Sequence, residues 1–98
     1  MTNPFPYDPD DPHGYGRLNL KLSEFRLRLT ALGEERYANL VRQAELYYGG
    51  SPTEFLGEAR SALQAVLRGA DDLPPEFVSA IREVVEAINE GFRRVGGG

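Results

Sequence analysis

Along residues 49–69, GGSPTEFLGEARSALQAVLRG, apolar positions recur at steps of three and four. Phe55, Ala59, Ala62, Leu63, Val66 and Leu67 therefore share one face of a predicted helix. Ser51 is placed to accept hydrogen bonds from first-turn N–H groups, Pro52 sits where a missing N–H costs nothing, and Glu54 completes a capping box. Gly69 is expected to end the helix in the left-handed conformation. A second apolar face runs through residues 75–95 as Phe77, Ile81, Val84, Val85, Ile88, Phe92 and Val95, with Glu76, Arg82, Glu83, Glu86 and Glu90 on much of the remainder. That face predicts either the main packing partner of the Ser51 helix or a dimer seam. Residues 34–48 predict another helix, with Tyr37, Leu40, Val41, Ala44 and Tyr48 on one side and Glu34 and Glu35 in the first turn, where the helix dipole favours them. Residues 70–75 predict a loop in which Asp71 or Asp72 caps and Pro74 and Pro75 set the start of the last helix.

Residues 17–33, RLNLKLSEFRLRLTALG, carry two periodicities. At period two, Leu18, Leu20 and Leu22 alternate with Arg17, Asn19 and Lys21, and Phe25, Leu27 and Leu29 alternate with Arg26, Arg28 and Thr30. At helical spacing, Leu18, Leu22, Phe25, Leu29 and Leu32 form an amphipathic seam. Leucine favours helix and no Val or Ile occurs here, so the pattern leans to helix, with a short strand over 17–22 capped by Ser23 as the alternative. Gly33 either ends this element or kinks a longer one. Residues 1–16 hold four of the seven prolines and neither periodicity. They read as a flexible tail; the alternative is an extended strap whose Phe5, Tyr7 and Tyr15 dock into a groove on this chain or a partner. The expected architecture is a single small all-α domain over 17–95, of three or four helices, with that N-terminal strand as its optional addition and residues 96–98 as a flexible glycine end.

Ninety-eight residues suffice for one domain with a modest core, which makes self-association an expectation. No apolar run approaches the length of a membrane span, and the acidic, proline-containing start does not read as a signal peptide. The absence of cysteine rules out disulfides and thiolate metal sites and fits a reducing cytoplasm, the default location. Net charge is -4 and unevenly distributed: residues 1–16 are acidic through Asp8, Asp10 and Asp11, residues 31–98 are acidic, and only residues 17–30 are basic.

Catalytic constellations are scarce. The single histidine, His13, lies in the tail, and without cysteine the common nucleophile and base pairs cannot be assembled. Glycines fall at helix ends and termini, so no phosphate loop or dinucleotide fingerprint is present. Asp8, Asp10, Asp11 and His13 lack the spacing of a calcium loop. Glu83, Glu86 and Glu90, with Glu54 and Glu58 on another helix, lack the Glu-x-x-His of a di-iron bundle and read as solvated charged faces. The expectation is a non-enzymatic protein without cofactor or metal: a homodimeric interaction or adaptor module. Its candidate interface comprises Tyr47, Tyr48, Phe77, Ile81, Val84, Ile88 and Phe92, and its acidic helices favour a basic protein partner.

Two segments, RLNLKLSE at 17–24 and GGSPTEFLGEA at 49–59, resemble the strand with its cap and the turn with its second helix in the ribbon-helix-helix family of DNA-binding proteins. The resemblance covers about half the chain. It implies an antitoxin-like DNA-binding regulator, in which Arg17, Asn19 and Lys21 face bases while Leu18, Leu20 and Leu22 face the core, and cap N–H groups near Ser51 to Thr53 clamp a phosphate. An alternative ribbon over 25–30 turns Arg26, Arg28 and Thr30 outward. Residues 23–49 have room for about seven helical turns, longer than the family's first helix, and Gly33 interrupts them.

Overall fold

The stretch with two periodicities is helical. A computed structural model describes residues 3–94, and in it α1 spans Gly16–Ala31 with Leu18, Leu22, Phe25 and Leu29 buried. No strand occurs among the described residues, which corrects the optional strand over 17–22. The reason lies in which periodicity can bury its leucines. The period-two reading would place Leu20 and Leu27 inside, yet they stand 68% and 62% exposed, whereas the helical seam is at most 4% exposed from Leu18 to Leu29. With no β-branched residue in residues 17–29, nothing local favours a strand over a helix.

Gly33 ends α1. Its φ of +80° lets its N–H reach Thr30 O while Glu34 N–H reaches back to Leu29 O, the two bonds of a Schellman turn. Helix α2, Glu35–Glu45, buries Ala38, Val41 and Ala44. It stops short of Tyr48, because Leu46, Tyr47 and Tyr48 bond three residues back rather than four and tighten into a turn that Gly49, at φ +102°, completes.

Helix α3, Pro52–Gly69, begins with half of the predicted capping box: Ser51 Oγ accepts from Glu54 N–H at 3.4 Å and Pro52 occupies the first turn, but the Glu54 carboxylate does not bond back to Ser51 N–H. Its end differs from expectation. Gly69 is the last helical residue rather than a left-handed cap, and Ala70 leaves in an extended conformation. A β-carbon at Gly69 would collide with the Tyr37 hydroxyl, so the glycine serves close approach between α2 and α3. Helix α4, Pro75–Arg94, starts with Pro74 O accepting from Phe77 and Val78 N–H. Val95 and Gly96 to Gly98 lie outside the described residues.

Each helix packs on the next in chain order. The bundle closes from α4 back to α1 through long side chains: the Phe25 and Phe77 rings meet edge to face at 5.5 Å, and Arg28 lies 4.6 Å over Phe77 while bonding Glu76 at 2.6 Å. Phe77, Ile81, Val84, Ile88 and Phe92 all fall in the one apolar core, none more than 8% exposed. This corrects their assignment to a dimer interface: the face is used within the chain, against α3 and α1, and the first of the two sequence alternatives for it is the one realised.

Candidate functional site

The chain before α1 is laid against the bundle. Asn3 Nδ2 donates to Ala87 O at 3.1 Å, Phe5 packs on the core, and Tyr15 is 3% exposed with the Tyr7 ring edge-on at 5.5 Å. Proline and aspartate, which exclude helix and sheet here, instead build a compact loop. Asp8 N–H bonds Gly14 O, Gly14 N–H bonds Asp11 O, and the Asp8 and Asp11 carboxylates accept from Asp10 and His13 N–H. Gly14, at φ +83°, turns the chain where any β-carbon would strike the Tyr7 ring. This is the geometry of the strap alternative rather than of a detached tail. The radius of gyration, 12.8 Å, matches the roughly 13 Å of a compact chain this long, so residues 3–15 add no projecting arm.

The strap is pinned by one hydroxyl. Tyr48 Oη donates to both Asp11 oxygens, at 3.0 and 2.9 Å, while its ring meets the His13 ring at 5.0 Å and the Phe55 ring at 5.5 Å. The His13 N–H, with the Tyr48 hydroxyl, holds the Asp11 carboxyl below its usual range; partial burial and then the Asp11 bond push Tyr48 up, and burial does the same to Tyr15. The signs give opposite pH limits. The depressed Asp11 stabilises the fold above the ordinary carboxylate range, and that contribution is lost as pH falls through its folded pKa. The raised tyrosines stabilise it below their ordinary value of about 10 and lose that as pH rises through theirs. Thermal melts across pH should show a plateau bounded on both sides, with the alkaline fall tracking tyrosinate absorbance. Tyr48→Phe should lessen both declines, and identical profiles for the two proteins would rule out the Asp11–Tyr48 contact as their source.

The residues proposed to contact nucleic acid sit on α1, and most are engaged. Lys21 bonds Glu24 at 3.3 Å; Arg28 bonds Glu76, holding that carboxyl below its usual range; Arg26 bonds Glu45 at 2.7 Å. Glu45 also accepts from Ser23 Oγ, so it ties α1 to the end of α2. Asn19 is half-buried, with its amide oxygen withdrawn from solvent. Arg17 alone of the five is exposed with no ion pair among the described residues. Of the proposed interface, only Tyr47, 41% exposed, faces outward; Tyr48 is committed to the strap.

The exposed apolar residues are others. Leu20 and Leu27 stand seven residues apart on the outer face of α1, and Leu46, 77% exposed, projects beside Tyr47 at the end of α2, over a shallow depression shared with Gln43 and Glu58. An open groove of about 730 Å³ runs between the strap, Lys21 and one flank of α4, floored by Phe5, Ala80, Val84 and Ala87 and edged by Glu83, Glu86, Glu90 and Arg93. The period-two pattern in residues 17–30 was the one trace in the sequence of the outward Leu20 and Leu27, and nothing there marked Leu46 or the groove, which depends on where the strap lies. Among the described residues no group of three or more His, Asp or Glu side chains is arranged to hold a metal ion, and no helix is long and apolar enough to cross a membrane. The chain matches no family model, no curated protein and no solved structure.

Proposed function

We propose that this chain is a non-catalytic helical interaction module whose outer surface is its active part. The observation that carries this reading is the exposure of Leu46, Leu20 and Leu27, at 77%, 68% and 62% the most exposed large apolar side chains among the described residues, ahead of Tyr7 at 55% and of Leu32, which leaves the predicted α1 seam at 42%. Single exposed leucines are ordinary; Leu20 and Leu27, one heptad apart, share one face of α1, so that one partner helix can cover both. Affinity capture with the purified chain as bait tests it, beside a bait carrying Leu20→Asp, Leu27→Asp and Leu46→Asp. The variant should keep the wild-type circular dichroism melt and lose the captured protein. Equal capture by both baits overturns the reading.

A ribbon-type DNA contact would require a strand where α1 is helical, so nucleic-acid binding, if present, would have to use Arg17, Lys21 and Arg28 along a helix. Salt-dependent binding of duplex DNA, lost in Arg17→Ala with Lys21→Ala, would replace the protein-interaction reading with that one.

A further inference from the structure

We infer that the leucine stripe of α1 is made for a second copy of this chain, seating in the groove between the partner's strap and α4. Resting on the interaction reading above, the inference names the partner, and three observations carry it. The first is spacing. Leu20 and Leu27 are seven residues, about 10 Å, apart along α1, and the groove floor presents the small residues Ala80 and Ala87 at the same interval along α4. Projecting leucines opposite small residues at matched heptad spacing are knobs facing holes.

The second is direction. Within one copy α1 and α4 run antiparallel, since Arg28 meets Glu76 near the start of α4 while Lys21 lines the groove with Val84 and Ala87 further along it. A twofold axis across α1 makes the second copy's α1 antiparallel to the first and so parallel to the first copy's α4. Leu20 then faces Ala80 and Leu27 faces Ala87 in one register. Ridge and groove lie on neighbouring faces, with Lys21 on the groove's edge one residue from Leu20, so both are used reciprocally and the assembly closes as a pair.

The third is charge. Beside the stripe, Lys21 and Arg28 are paired with Glu24 and Glu76, and Arg17 is exposed without an ion pair among the described residues; on the groove, Arg93 is paired with Glu90, and Glu83 and Glu86 are exposed and without an ion pair among the described residues. A basic ridge entering an acidic-rimmed groove is favoured over the reverse stacking of like faces.

Sedimentation equilibrium on the full chain tests this from micromolar to millimolar concentration. The wild type should dimerise. Leu20→Asp and Leu27→Asp, both at exposed positions that leave the fold intact, should each raise the dissociation constant about tenfold to a hundredfold. Ala80→Gln and Glu83→Arg should weaken it from the groove side, while Leu46→Asp, off the seam, should leave it unchanged. A dimer indifferent to the α1 variants overturns the seam. A wild type that stays monomeric overturns the second copy as occupant and leaves the interaction reading to the capture experiment, so the two fail separately.

Discussion

Phe77→Ala should lower the stability of the fold by about 3–5 kcal/mol, the range for truncating a buried aromatic. Phe77 is 1% exposed and sits where the last helix meets the first, edge-on to Phe25 and beneath the Arg28 guanidinium. Its removal takes the transfer free energy of the ring, leaves a cavity, and withdraws the platform that aligns Arg28 with Glu76. For a chain this size the midpoint of thermal unfolding should fall by roughly 4–8 °C for each kcal/mol lost. Total stabilities of about 5–15 kcal/mol are usual, so the variant should be near the edge of folding. Urea unfolding gives the number directly. A loss under about 1 kcal/mol would show that α4 does not depend on this contact to close the bundle.

Tyr15→Ala should have the next largest effect, about 2–4 kcal/mol, and a different signature. Tyr15 is buried at the point where the strap becomes α1, and Tyr7 rests on its ring. Without it, Phe5 and Tyr7 lose their platform, and protease cleavage within residues 3–14 should become fast while the helices stay protected. If the segment were a free tail, cleavage there would already be fast in the wild type and stability would be nearly unchanged by the substitution. That comparison, by limited proteolysis and a thermal melt, separates the two readings of the proline-rich start.

The helices were legible because their signals are local. Ser51, Pro52 and Glu54 specify the start of α3 within four residues, and the steps of three and four in α4 specify its buried face without reference to anything else. The seam of α1 was legible as well, although a competing alternation obscured it until burial decided between them. Pairings across the bundle were not legible. Nothing near Gly69 in sequence points to Tyr37, nothing near Glu45 points to Ser23 and Arg26, and Arg60, which bonds Asn89 at 3.0 Å and covers Phe92, looks like any solvent-facing arginine. The apolar face of α4 was recognised, but periodicity states that a face is buried and not by whose side chains; that is why a core was also readable as a dimer seam. The candidate site was less legible still, since a groove between a strap and a helix exists only once both are placed.

The hydrogen bond from Asn3 to Ala87 spans 84 positions of the chain, while the helices pack in the order in which they are written. Neighbour-on-neighbour packing closes small loops and forms early, whereas a contact between the two ends bears the largest loop-closure cost. During synthesis Asp11 and His13 can meet Tyr48 once α2 has been made, whereas Asn3 and Phe5 must wait for α4 before the surface they rest on exists. The segment around Asn3 and Phe5, made before the helix it rests on, is the last to be seated, and the groove it walls comes into being only at that moment.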